Sequence, residues 1–219
     1  FMVDEVKGRL AGGPYEDAEI VPVSSRTGEG LDDLKAALGR AAKATKRQKT
    51  SDSARLPIDR VFTIKGAGTV ITGTLWSGAV STGDELEVLP SGRISRVRSI
   101  QIHGESVERA EAGHRVALNL NALSTDEVRP GDFLAAPHTV TATDRFDADF
   151  TFLGLPSSDK PLESGARVHV SHGTREVIGR ILRIGGGQPI ERGERVYAQI
   201  RLDEELPVSW QDHFIVRSY

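Results

Sequence analysis

The chain has no cysteine among its 219 residues. Disulfides and thiolate-bound metals are therefore excluded, and a cytoplasmic setting is the simplest expectation. Aromatic residues are scarce at 5%, so any core has to be built from Val, Ile, Leu and Ala. No apolar run is long enough to cross a membrane as a helix, and no secretory leader is legible, so no membrane partner is expected. An excess of positive charge is missing as well, because the formal net charge is −3. Such a chain does not attract nucleic acid by its overall charge, and any RNA contact has to come from a local patch. There is no Gly-x-x-x-x-Gly-Lys-Ser/Thr loop, and no Ser/His/Asp arrangement stands out. No catalytic residue is expected. The chain opens at Phe1-Met2-Val3 without a recognisable start and reads as an excised piece.

What is abundant is punctuation: 23 glycines and 10 prolines, which suit many short strands and turns. Residues 1–44 read as α/β. "EIVPVSS" (19–25) suggests a buried strand, "RTGEG" (26–30) a loop, and "LDDLKAALGRAAKA" (31–44) a helix with Leu31, Leu34, Ala37 and Leu38 on one face. This looks like the end of a larger domain. Residues 45–55 are polar and charged and read as a linker. From 56 the grammar turns to β: residues 56–138 predict one small barrel, and 139–219 a second. The two regions share a weak repeat. Gly113-x-Arg115-Val116 matches Gly193-x-Arg195-Val196, and Asp132 and Asp212 follow at equal distance.

The stretch "DRVFTIKGAGTVITG" (59–73) holds a Gly-x-Gly between apolar runs. A phosphate cradle needs a helix N-terminus behind it. Here Thr69, Val70, Ile71 and Thr72 follow, which is strand chemistry, so "KGAG" reads as a hairpin turn. Asp59 and Arg60 open the strand before it. Strict alternation puts Asp59 on the face of Val61 and Arg60 on that of Phe62. Whether either charge meets a pocket or solvent is open from the residues alone. The same holds for Arg115, a sheet-surface charge or part of an anion pocket with Arg60. Arg96 and Arg98 share one strand face, exposed or tracking phosphates. His169, His172 and Arg175 form a small basic group whose spacing is poor for metal, so RNA contact or ordinary surface is expected.

The stretches "IDRVFTIKGAGTVITGTLWSG" and "VRSIQIHGESVERAEAGHRVALNL" resemble domain 2 of the bacterial selenocysteine-specific elongation factor family, SelB. "LESGARVHVSHGTREVIGRI" and "DHFIVRSY" look like its domain 3, and "VPVSSRTGEGLDDLK" resembles the end of its GTPase domain. The resemblance implies a mainly β chain: two successive elongation-factor-type β-barrels preceded by a short α/β remnant of a GTPase domain. The phosphate loop, switches and guanine motif would precede residue 1, and messenger-binding winged helices would follow Tyr219. Ser24, Ser25 and Arg26 match the last guanine-binding loop, with a second Ser where the family usually has Ala. GTP and Mg would belong to the longer parent, and no GTPase activity or cofactor is expected of this chain alone.

The resemblance also implies partners: selenocysteyl-tRNA, the ribosome, and a hairpin in the selenoprotein messenger read by the missing C-terminal region. In elongation factor Tu the positions aligned with Asp59 and Arg115 belong to the aminoacyl pocket, with an acidic residue first and Asn second. A selenol ionises well below neutral pH, whereas serine offers a neutral hydroxyl. Arg60 and Arg115, held by Asp59, would favour the anion by charge-assisted hydrogen bonds. Phe62 and Thr72 match pocket-lining positions. The family's second barrel contacts the acceptor and T-stem backbone, which makes His172 and Arg175 candidates. Rival readings are the same barrels in elongation factor Tu, in the tRNA-binding subunit of archaeal initiation factor two, in the GTPase subunit of sulfate adenylyltransferase, or in a protein-interaction pair.

Overall fold

The computed structural model describes residues 2–13, 15–45, 51–66, 68–154 and 160–218. The chain divides into two compact units, 1–48 and 49–219. Residues 46–50 of the predicted linker, together with Ala67 of the predicted turn, lie outside the described residues. No helix among those described is long and apolar enough to cross a membrane.

The first unit is two helices, α1 (Met2–Leu10) and α2 (Leu31–Ala44). The second matches its expected span, with Asp32 and Asp33 in its first turn and Lys43 in its last, as the helix dipole favours. The expected strand over 19–25 is not there. Residues 18–24 run without regular structure, and Val23 is exposed. A strand needs a hydrogen-bonded neighbour, and this unit has no other strand among its described residues to supply one.

The second unit is β throughout. The first barrel contains β1 (Arg55–Ile64), β2 (Gly68–Thr74), β3 (Ala79–Ser81), β4 (Glu85–Leu89), β5 (Arg93–Ile102), β6 (Glu105–Val107), β7 (Arg109–Glu111), β8 (Arg115–Leu120) and β9 (Phe133–Ala135). Strand order β4-β9-β1-β2-β8-β5 closes on itself through a β4–β5 pairing, so six strands form a closed barrel with β6 beyond β5. Its core is aliphatic, including Leu56, Ile58, Ile71, Leu75, Ile100 and Leu118. Gly66 at φ 85 and Gly68 at φ 91 lie where the antiparallel pair β1–β2 reverses, a backbone that favours glycine.

The second barrel region is a five-stranded antiparallel sheet of order β10-β13-β12-β11-β14, using β10 (Thr143–Thr151), β11 (Arg167–His172), β12 (Arg175–Arg183), β13 (Arg195–Leu206) and β14 (Ile215–Ser218). Val168, Val170, Ile181, Ala198 and Ile200 fill its core. Arg55, assigned to the linker by sequence, is instead the first residue of β1 and is buried.

The sequence repeat has a structural counterpart. Arg129-Pro130-Gly131-Asp132 and Ser209-Trp210-Gln211-Asp212 fold into matching turns. In each, the Asp carboxylate accepts the backbone N–H three residues back, and the residue before the Asp has positive φ. Both aspartates then reach across to the other barrel.

Candidate aminoacyl-binding face and the barrel joint

Strand β1 does not keep strict alternation. Its register against β2 slips between Ile58 and Arg60, so Asp59 is the extra residue of a β-bulge. Ile58 and Val61 both face the core, and Asp59 and Arg60 stand together between them. The expected sharing of a face by Asp59 and Val61 is thereby corrected: a bulge adds one residue and resets the period of two.

Arg60 lies opposite Thr72, Phe62 opposite Val70, and Thr74 opposite Arg115. Asp59, Arg60, Phe62, Thr72 and Arg115 thus share the outer face of three neighbouring strands. Arg115 grips Asp59 with two guanidinium nitrogens, Nη1 to Oδ2 and Nη2 to Oδ1, the latter at 3.0 Å. The Thr72 hydroxyl donates to Asp59 Oδ1 at 2.6 Å. Burial pushes the Asp59 carboxyl up, but the hydrogen bonds from Arg115 and Thr72 outweigh it and hold its pKa below the ordinary value. The bond to Asp59 in turn raises the pKa of Arg115. The Arg60 side chain is exposed and acts on Asp59 through its charge, with no direct hydrogen bond to it among the described residues. Two strand spacings and one side-chain step separate Arg60 from Arg115, roughly 12 Å between Cα atoms. Asp59 lies between them. The face therefore offers a guanidinium bonded to Asp59, a second that meets Asp59 through its charge alone, and an apolar ring, with one net positive charge.

The other predicted residues are dispersed. Ser24 closes a tight loop, its N–H donating to Glu29 O at 2.9 Å and its Oγ accepting from Thr27 N–H at 3.2 Å. Ser25 and Arg26 form the exposed turn inside it. Arg96 and Arg98 are exposed on β5, with Arg96 at 3.6 Å from Glu85. His172 and Arg175 are not surface groups. His172 is 1% exposed, stacked on Phe133 at 5.2 Å between centroids and 3.1 Å from Asp212. Arg175 is paired with Asp132 and Glu204, its side chain 9% exposed. Their expected place on an RNA backbone is corrected to the joint between the barrels, where charge is taken up by internal partners.

That joint is reciprocal. Asp212 of the second barrel holds Arg55 of the first through two bonds of 2.8 and 2.6 Å, and Asp132 of the first holds Arg175 of the second at 3.3 Å. Trp76 stands edge-on to both Phe133 and His172, and the Arg55 guanidinium lies 5.9 Å from both the Trp76 and Phe133 rings. Burial raises the Asp212 carboxyl, but the bonds from Arg55 and His172 dominate and hold it far below the usual carboxylate range. The equal spacing of Asp132 and Asp212 was the visible signal for this joint; their arginine partners were not legible.

A second missed feature is a row of like charges. Arg145, Arg201, Arg180 and Arg167 are directly paired across β10, β13, β12 and β11. All four are exposed. Arg167 meets Asp203 at 3.2 Å, Arg180 donates to Gly165 O and Arg201 to Gln199 Oε1, while Asp147 in the next rung accepts from Gln199. Three of the four thus have no carboxylate partner among the described residues. Like charges directly opposed destabilise a sheet, so this row is costly without an external anion. Sequence could not show it, because the register that aligns four strands is a tertiary property. No three His, Asp or Glu side chains among the described residues gather as a metal set.

Comparisons with known proteins agree with this architecture. Residues 68–135 match the family model for elongation factor Tu domain 2, and residues 152–219 that for the selenocysteine-specific elongation factor β-barrel domain. The chain is 42% identical, over 99% of its length, to a selenocysteine-specific elongation factor of Desulfomicrobium baculatum. It is similar to the crystal structure of a bacterial selenocysteine-specific elongation factor, with TM-score 0.79 and 31% identity over 99% of this chain and 34% of that one. It is also similar to elongation factor SelB from Methanococcus maripaludis in its apo form, with TM-score 0.83 and 28% identity over 98% of this chain and 48% of that one. The chain spans 34% of the length of the Desulfomicrobium relative. On its two family models and its relatives along almost all of its length, the chain belongs to the selenocysteine-specific elongation factor family.

Proposed function

We propose that this chain is the tRNA-binding part of a translation elongation factor that delivers selenocysteyl-tRNA to the ribosome at recoded UGA codons. One observation carries the reading: the bulge of β1 sets Asp59, paired to Arg115 and Thr72, beside Arg60, whose exposed guanidinium makes no direct hydrogen bond among the described residues. A selenolate on the tRNA ester meets a net positive site there, and charge-assisted hydrogen bonds favour it over a neutral hydroxyl. GTP, Mg and the messenger hairpin are assigned to the longer protein, which we take to be a cytoplasmic GTPase. The test is equilibrium binding of this chain to selenocysteyl-tRNA and seryl-tRNA built on the same tRNA. The expected result is tighter binding of the selenocysteyl form at neutral pH. Equal affinity for the two would sink the reading.

The same reading gives the arginine row a role as the backbone contact. Its three strand intervals span about 14 Å, which suits several successive phosphates better than one compact ion. Salt dependence separates the two surfaces. Each phosphate contact contributes roughly −0.7 to −0.9 to the slope of log K against log salt. Changing Arg145, Arg180 and Arg201 together to Gln is expected to flatten the slope for deacylated tRNA by about two. A control with Arg9, Lys35 and Lys43 changed to Gln alters net charge equally and is expected to leave the slope near that of the parent. An identical loss in both variants would remove the row from the interface.

A further inference from the structure

We infer that Thr174, on the second barrel, is a positioning residue for the Asp59–Arg115 pair on the first, so that the selective face is built by both barrels. This rests on the reading of that face given above, but its geometry stands apart from it. The turn His172-Gly173-Thr174-Arg175 joins β11 to β12 and is seated against β1 and its neighbours. His172 stacks on Phe133. Gly173, at φ 59, has no room for a Cβ, which would meet Phe133 Cζ at 2.8 Å and Pro57 Cβ at 3.1 Å. Arg175 is paired to Asp132. Thr174 donates its hydroxyl to the carbonyl of Ile58 at 2.7 Å.

Ile58 is the residue before the bulge. Its carbonyl also accepts Gly131 N–H at 2.8 Å, and its N–H donates to Asp132 O at 2.8 Å. The peptide plane that its carbonyl fixes is the one that leads into Asp59. A bulged residue lacks the ladder bond that would otherwise hold it, so its direction depends on how its neighbours are fixed. On the far side Gly73, opposite Ile58, lies against the Pro57 carbonyl and the Leu56 side chain. The strand is thus pinned from both sides just before the residue that must reach Thr72 and Arg115. With Thr174 in place the carboxylate is aimed at both; without it one of the two bonds to the Ile58 carbonyl is gone and the bulge is free to turn.

The test uses Thr174→Val, which keeps the shape and removes the hydroxyl, and Thr174→Ser, which restores it. The Ile58 carbonyl keeps its bond to Gly131, so the Val variant is expected to fold, and thermal unfolding checks this. The first readout is NMR titration of the Asp59 carboxyl, which needs no tRNA. In the Val variant its titration is expected to move up towards that of an ordinary carboxylate, and in the Ser variant to return. The second is the affinity ratio for selenocysteyl-tRNA over seryl-tRNA, expected to fall several-fold in Val and recover in Ser. An Asp59 titration unchanged in the folded Val variant would overturn the inference. A titration that moves while the ratio stays fixed supports the positioning role and counts against the aminoacyl reading of the face.

Discussion

Replacing Asp212 by alanine is expected to destabilise the paired barrels by about 3–5 kcal/mol, the cost of stranding a buried charge. The Asp212 carboxylate meets Arg55, whose side chain is 8% exposed, and also the Nε2 atom of His172 and the backbone N–H of Ser209. Truncation leaves a guanidinium without a counter-charge and a buried imidazole without a partner. Replacing the pair as Arg55→Met with Asp212→Leu is expected to recover part of the loss, since apolar groups of similar volume remove the desolvation penalty as well as the attraction. Urea midpoints at constant slope measure both. A loss within 1 kcal/mol for the single alanine, on the scale of an exposed ion pair, would show that the joint is solvated in solution.

The same carboxylate sets an acid limit. Its folded pKa is depressed, so its contribution is complete above the ordinary value near 4 and is lost as pH falls below that towards the folded value. The parent is expected to hold a plateau from neutral pH down to about 4 and then weaken. The Asp212→Asn variant starts from a lower plateau and falls less across the acid range. Matching acid profiles in the two proteins would exclude Asp212 as the linked group.

At the proposed aminoacyl face, Arg60→Ala is expected to lower the preference for selenocysteyl-tRNA over seryl-tRNA by about tenfold. The upper range for a charge-assisted bond is larger, but solvent screens an exposed arginine. Arg115→Ala is expected to act differently. It removes one positive charge and also releases the Asp59 carboxylate, now held by Arg115 and Thr72, to face the bound selenolate. The preference should vanish, and selenocysteyl binding should fall below what lost attraction alone explains. Asp59→Asn tests the sign: the repulsive charge is gone, Arg115 is freed, and the anionic ester should bind tighter while the serine ester hardly changes. Since Asp59 ionises below the ordinary carboxylate range, any loss of preference on acidification between pH 8 and pH 5 reports the selenol. Equal effects of all three substitutions on both esters would mean that this face does not read the amino acid.

The chain by itself determined a good deal. Short β-branched segments between glycines and prolines specified an all-β second unit, and the absence of a helix after Gly66 and Gly68 separated a hairpin turn from a phosphate cradle. The periodic leucines of 31–44 fixed a helix, because helical spacing is a local property. Residue types raised Asp59, Arg60 and Arg115 without deciding between pocket and solvent, and only the family resemblance added Phe62 and Thr72 to them. Local patterns failed where the answer depended on a neighbour. Residues 19–25 have strand composition and no strand to pair with among those described. His172 and Arg175 have the chemistry of RNA contacts, but the second barrel turns them into the first, where Phe133 and the two aspartates take them up. Arg55 looked like linker and became half of a buried ion pair across 157 residues of sequence. The bulge at Asp59 and the row of four arginines are both facts of register. Register is set by how strands from distant parts of the chain align to bury their apolar faces together; composition chose the residues of the face, and only the assembled sheets decided which way they point.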